Sequence, residues 1–278
     1  ATRAGLEMLR AGGNAFDAAV AVSLTLSVVE PHHSGIGGGC FSLIYSAKDN
    51  AFHSVDGRGV APQNAKEDLF LKDGVVQDEW KDLGGQSVAI PGLLKTLEVM
   101  LEKYGTMSRE EVMAPAIKLA RDGFAMEKRL ADAIADNYDN FNEEGLAIYT
   151  NDGIPYAEGD LFKNEPLANT LQAIADGGID AFYNGELADK MVEVLQANGS
   201  LMAKEDLASY TVAEREPIRT TYYGYEVVTV PPPSNGGDWL LEMLNIMENK
   251  DIKQYDVNSL DYLYVYNEAC RIALTDSY

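Results

Sequence analysis

The chain has 278 residues, 46% of them apolar, enough to bury a sizeable core as one large domain or two small ones. Its 44 acidic against 22 basic residues leave a formal charge of −22, which argues against nucleic acid or an anionic membrane as partner, since both need clustered positive charge. Such acidity reads as solubility, or as adaptation to a salty or alkaline medium, and it repels an anionic ligand unless a local cation receives it.

Ala1-Thr2-Arg3 opens inside a helical pattern, and residues 3–11 read as a short helix stopped by Gly12-Gly13. No signal-peptide pattern is visible, so this start reads as that of a fragment whose preceding residues were removed. Asn14 then caps a helix over 15–29 that is apolar on almost every side, hence buried on more than one. It is shorter than the ~20 apolar residues a membrane span requires. Pro31 ends it. The loop Ser34 to Gly39 is glycine-rich and lets another backbone or a ligand come close. Phe41, Leu43 and Tyr45 alternate with Ser42, Ile44 and Ser46, predicting a strand over 40–46; Asp49-Asn50 turns the chain into a second strand over 51–55. Asp56-Gly57-Arg58-Gly59 places a guanidinium at the end of that strand.

Residues 63–81 read as a polar surface excursion turning at Asp73-Gly74, and 84–90 as a short strand. Pro91 suits the first turn of a helix running to Tyr104, closed by Gly105. Ser108 and Glu111 form a capping box for a helix from Arg109 to Gly123, which Pro115 should kink or divide. A helix from Glu127 to about Tyr138 leads into 140–160, read as an exposed, weakly structured loop and the best place for a lobe boundary. Helices over 167–175 and 185–197 and a helical turn or two over 204–210 follow. Residues 218–230 read as a hairpin turning at Gly224, ended by Pro231-Pro232-Pro233. Helices over 239–247 and 257–273 complete the chain, and the last pattern reaches Tyr278 without a C-cap. The fold class is mixed α/β with helices in the majority.

Arg58 leads the residues that could do chemistry. Its planar fork can hold a carboxylate in two hydrogen bonds, or it can pair with Asp56 or another acid. The glycines at 35–39 follow a helix and lead into a strand, the reverse of a dinucleotide fingerprint, and no P-loop lysine follows. His32, His33 and His53 are the only histidines; with no Cys/His/carboxylate spacing for a closed site they read as loop or core residues, and no metal is expected. Cys40 and Cys270 allow one disulfide, with a packed free thiol preferred for Cys40. No G-x-S-x-G elbow is present. Ser234 to Gly237 opens a helix whose N–H groups could receive an anion, though a capped helix after a proline turn explains it as well. Glu143-Glu144 reads as solvated surface, and the tyrosines at 222, 223, 225, 262, 264 and 266 as core and subunit contact.

Several motifs in order resemble the large subunit of the gamma-glutamyltransferases: Pro31 to Gly39 after a buried helix, Asp56-x-Arg58-x-x-Ala61-Pro62, Pro91-Gly92, Lys103-Tyr104-Gly105, Leu119-Ala120-Arg121-Asp122, Lys204-Glu205-Asp206-Leu207, and Pro231-Pro232-Pro233-Ser234-Asn235-Gly236-Gly237. They span nearly the whole chain. Cys40 stands where a small residue is usual, and Gly59-Val60 where Glu plus an apolar residue is common.

The resemblance implies the αββα sandwich of the N-terminal-nucleophile hydrolases, built jointly with a small subunit from the same precursor. Residues 1–278 would be the large-subunit part of a single domain, with a possible helical lobe over about 91–215. It implies cleavage of a gamma-glutamyl amide through a threonyl acyl-enzyme that water or an amine resolves, with cephalosporin acylase, poly-gamma-glutamate depolymerase or a non-catalytic scaffold as alternatives. Arg58 occupies the position that binds the donor's alpha-carboxylate. The substrate would be a gamma-glutamyl small molecule or peptide, with no cofactor, metal, nucleic acid or membrane involved. The nucleophile belongs to the small subunit: no T-T-H-[apolar]-[ST] context occurs here, Thr220-Thr221 precedes Tyr222 in a strand, and Thr2 lies in a helix. By the resemblance Arg271 to Tyr278 falls some tens of residues before the cleavage point, so no catalytic residue lies in this chain and alone it should be inactive. Secretion, the periplasm or the cell surface follows from the resemblance, with the cytoplasm open.

Overall fold

A computed structural model describes residues 1–276; the expectation placed on Tyr278 lies outside them. Helix α1 (Thr2–Arg10) leads through Gly12-Gly13 into α2 (Ala15–Val29). Asn14 caps α2 as expected: its side chain accepts from the Phe16 and Asp17 N–H groups, and its own N–H donates to Asp17 at 2.7 Å. After the glycine loop, strands β1 (Cys40–Ser46) and β2 (Ala51–Gly57) follow. A two-residue-stranded hairpin, β3 (Leu71–Lys72) and β4 (Val75–Val76), turns at Asp73-Gly74, both with positive φ, and a short α3 (Glu79–Asp82) comes next.

The strand expected over 84–90 does not form. Gly85–Ser87 is a 3-10 turn whose Gly85 N–H donates to the Asn198 carbonyl at 2.7 Å, and only Ile90 of the run pairs, as a bridge to Val60. Pro91 lies just outside helix α4 (Leu93–Tyr104), whose N-cap is Gly92. Gly92 has no side chain to cap the helix; the Gly38 carbonyl accepts both the Gly92 and Leu93 N–H groups at 2.9 Å instead. Helix α5 (Arg109–Asp122) starts at the Ser108–Glu111 capping box and stays one element through Pro115.

Beyond Gly123 come β5 (Phe124–Ala125) and α6 (Lys128–Asp136). Residues 140–160 are ordered structure, not a loose loop: α7 (Glu143–Tyr149) and the hairpin of β6 (Thr150–Asn151) and β7 (Ile154–Pro155). Phe141, Ile148, Tyr149 and Tyr156 of this stretch pack on the buried cluster of Met126, Leu130, Ile134 and Phe162. The Phe162 ring meets those of Tyr149 and Tyr156 at 5.9 and 5.2 Å. Strand β8 (Leu161–Phe162) pairs with β5, and α8 (Glu165–Gly177), α9 (Asp180–Tyr183), α10 (Glu186–Ala197) and α11 (Lys204–Ser209) follow. Strands β9 (Ala213–Arg215), β10 (Ile218–Tyr222) and β11 (Tyr225–Thr229) lead to α12 (Asn235–Asn249), which starts earlier than expected, and α13 (Leu260–Asp276).

The chain divides into two compact units. The first, Ala1–Cys40 with Arg58–Thr211, is helical and contains all of 140–160. Helix α2 packs on α1, α4 and α5, and α5 on α8, which is why an all-round apolar helix is found there. The second, Phe41–Gly57 with Val212 onward, holds the sheet β1-β2-β9 and the hairpin β10-β11; α12 packs on β10, and α13 packs on α12. Within β1, Ile44 and Ser46 are buried, whereas Leu43 and Tyr45 are 40% and 49% exposed. The described helices include none long and apolar enough to cross a membrane.

Candidate functional site

Arg58 follows the last residue of β2 and is exposed. Its backbone is held from two sides. Tyr210, itself buried, donates its hydroxyl to the Arg58 carbonyl at 2.9 Å. One residue on, Gly59 runs so close to Ala89 and Ile90 that a Cβ there would meet both at 3.0 Å, and the Val60 carbonyl accepts the Ile90 N–H at 2.9 Å. The segment 89–93 therefore touches Arg58's flank on one side and, through Gly92 and Leu93, the Gly38 carbonyl of the glycine loop on the other. Tyr183 fixes that segment by donating its hydroxyl to the Pro91 carbonyl at 2.9 Å, and its ring stacks with Tyr210. Burial pushes the Tyr183 phenol well above its ordinary range, so it remains a donor. Asp206 ties down the following stretch: its carboxylate accepts from the Gln63 N–H at 3.0 Å and the Ala203 N–H at 2.8 Å.

In the second unit, Asp56 forms its ion pair with Arg215 at 3.0 Å, across the register that sets Ser54 opposite Arg215 and Asp56 opposite Ala213. His53 pairs with Asp49 at 2.9 Å. Ser234 is the N-cap of α12 but makes no side-chain cap bond. The glycines after it have a packing reason: a Cβ on Gly237 would overlap the Val230 carbonyl oxygen and press on Thr229 and Ile218, so only glycine lets α12 lie on the hairpin. Cys40 and Cys270 are not joined in a disulfide.

Two groups were not legible as sites. Asp17, 0% exposed, accepts hydrogen bonds from Asn14, Thr106 and Met107, so it joins the start of α2 to the end of α4. Burial raises its pKa, but the bonds from Asn14, Thr106 and Met107 outweigh that and hold the carboxyl below its ordinary value. The Asn-x-x-Asp spacing marks a capping box; nothing in it announces the contacts to Thr106 and Met107. Glu30, the C-cap of α2, stands beside His32 and His33, with the ligand atoms of the three within 4.8 Å of one another. The signal available was the Glu-x-His-His spacing. Burial lowers the His32 pKa from its ordinary value, His33 adds to that and Glu30 opposes it.

This architecture is that of the N-terminal-nucleophile hydrolase fold, shared with solved gamma-glutamyltranspeptidase and cephalosporin acylase structures. The gamma-glutamyltranspeptidase family model matches residues 1–278, and the chain belongs to that family. A crystal structure of Helicobacter pylori gamma-glutamyltranspeptidase superposes with a TM-score of 0.96 at 36% identity, covering 99% of this chain and 79% of that one. The glutathione hydrolase proenzyme of Escherichia coli is 41% identical over 99% of this chain and 48% of its own length. The acylase ACY 1 proenzyme of a Pseudomonas species (strain SE83) is 38% identical over 99% of this chain and 51% of its own. The chain thus spans about half the length of the curated relatives it matches.

Proposed function

We propose that this chain is the large-subunit part of an enzyme that cleaves a gamma-glutamyl amide and passes the acyl group to water or an amine. The nucleophilic threonine and the oxyanion donors come from a small subunit released from the same precursor, so the large subunit contributes binding and position rather than bond-breaking. The observation that carries the reading is Arg58: an exposed residue whose carbonyl is held by Tyr210 and whose following residues, Gly59 and Val60, are held against Ile90. Such a group can take the donor's alpha-carboxylate in two parallel hydrogen bonds. It fixes the gamma-carbonyl relative to the nucleophile, which lowers the barrier by positioning. In a chain of net charge −22 it also supplies the local cation an anionic donor needs.

The small subunit finds support in the apolar surface of the second unit. On or next to α13, Val257, Leu260 and Tyr264 are 74%, 84% and 67% exposed, a run of apolar surface suited to cover by a partner.

The test uses the full-length gene product, processed and purified. Arg58→Ala should lower kcat/KM for a gamma-glutamyl anilide by at least ~100-fold, about 2.7 kcal/mol, and Arg58→Lys should recover only part because the fork is lost. A donor without the alpha-carboxylate should be as poor for the parent enzyme as the normal donor is for Arg58→Ala, and should lose little more in the variant. A loss under about threefold, ~0.6 kcal/mol, sinks the anchoring role. The similarity to acylase ACY 1 favours one second reading, a cephalosporin side-chain acylase; release of the acyl side chain without gamma-glutamyl turnover would select it.

A further inference from the structure

We propose that Glu30, His32 and His33 bind one divalent transition-metal ion of the zinc type, which ties the end of α2 to the glycine loop. The site arises from a local turn. Pro31 stops the helix, and the His33 and Ser34 N–H groups both donate to the Glu30 carbonyl, at 3.0 and 2.9 Å. That fold-back sets one carboxylate and two imidazoles together, their ligand atoms within 4.8 Å of one another. The imidazoles lie 4.3 Å apart between centroids and are tilted by 48°, so their nitrogens are not forced apart as in a parallel stack. An ion bound at about 2.0–2.2 Å from each atom in tetrahedral geometry holds them roughly 3.3–3.6 Å apart, so the side chains close by up to about 1.5 Å on binding.

An independent observation points to a ligand. Both ring nitrogens of His32 are shut off from solvent and have no hydrogen-bond partner. Two orphaned polar atoms in one buried ring are costly, and an unmet partner is the usual explanation. A cation takes one of them. His32 lines a 370 Å³ cavity together with Asn137 and Asn140, so the ring borders open space. His33 is exposed, which gives the ion a way in and leaves a position for water.

Two imidazoles and one carboxylate favour zinc, nickel, cobalt or copper over calcium or magnesium. Arg129 acts on His32 as an opposing positive charge, so the affinity should be moderate. The ion has no step in the proposed acyl transfer. Its place is structural, because the glycine loop that follows holds the start of α4 through Gly38.

The test uses the full-length processed enzyme, stripped with a chelator and titrated with Zn²⁺ by calorimetry and with Co²⁺ by visible absorption. The parent protein should bind one equivalent more than His33→Ala, and Glu30→Gln should weaken that equivalent by at least about tenfold. The Co²⁺ d–d bands should appear in the parent and be missing in His33→Ala. Added Zn²⁺ should raise the Tm of the parent only. His33 is exposed, so His33→Ala should match the parent in far-UV dichroism and in metal-free Tm; if His32→Ala fails to fold, the other two variants still decide. Equal stoichiometry and affinity in parent and His33→Ala overturn the site, as does no binding at roughly millimolar metal.

Discussion

Replacing Asp17 by alanine should cost this protein about 3–5 kcal/mol, and the reason lies in four hydrogen bonds rather than in packing. The carboxylate accepts from the Asn14 N–H at 2.7 Å, the Thr106 hydroxyl at 2.7 Å, the Thr106 N–H at 2.8 Å and the Met107 N–H at 3.1 Å. Removing it strands three backbone donors and a hydroxyl, each costing ~1–3 kcal/mol if nothing replaces the acceptor. The hydroxyl can rotate and water can reach part of the gap, so the total falls below the simple sum. Asp17→Asn keeps the shape and one acceptor oxygen, and roughly half the loss is expected. At ~2–3 °C per kcal/mol, Asp17→Ala should lower Tm by roughly 6–15 °C at neutral pH. The folded pKa is depressed below the unfolded value near 3.8, so the carboxylate's contribution is complete well above that value. It declines as pH falls through the folded pKa, and the gap between parent and Asp17→Ala should close with it. Thermal and denaturant unfolding between neutral pH and the acid limit measure both. A neutral-pH difference under about 1 kcal/mol, or a gap that widens on acidification, refutes the reasoning.

Gly237→Ala should destabilise by ~2–3 kcal/mol or more, because its Cβ would overlap the Val230 carbonyl, whereas Gly236→Ala, whose Cβ would meet nothing closer than Ser234 Oγ at 3.9 Å, should be neutral or slightly stabilising. Equal effects in denaturant unfolding would remove the packing explanation of the Gly-Gly pair. Tyr210→Phe should cost about 1 kcal/mol through the lost bond to the Arg58 carbonyl. In the processed enzyme it should raise KM for the donor by roughly threefold or more with kcat nearly unchanged, since it moves Arg58 and not the nucleophile. A fall in kcat alone would contradict that.

Local signals carried most of the fold. The capping residues Asn14 and Ser108, the turns at Asp73-Gly74 and Gly224, and the stop at Pro31 all act within a few residues of themselves, so a linear reading finds them. The failures were non-local. Residues 84–90 have strand composition, but Gly85 is held by the Asn198 carbonyl more than a hundred positions away in the chain. Residues 140–160 look solvated because Phe141, Tyr149 and Tyr156 are scattered among polar neighbours; only Phe162, itself 0% exposed, gathers them. The grouping of Glu30 with His32 and His33 was hidden for another reason: only the fold-back at Pro31 brings the carboxylate beside the adjacent histidines.

The motifs that carry the family resemblance turn out to have one physical theme. Gly105 stands where a Cβ would meet Asp17 at 2.8 Å, Gly92 leaves its helix to be capped by Gly38, Asp206 holds the segment after Arg58, and Gly237 admits a carbonyl. Each sets where a backbone lies; none can attack or protonate a substrate. That is the pattern the proposed role of Arg58 calls for, in which this chain contributes a charge held in place. Position is worth most when the reacting group sits on another polypeptide, because a displacement of about 1 Å can cost ~100-fold in rate. It follows that substitutions at Gly59 or Tyr210 should weaken donor binding, and so lower kcat/KM, through Arg58, and that combining either with Arg58→Ala should add little. Additive losses in that cycle would mean that the two sides of the arginine serve something other than the arginine.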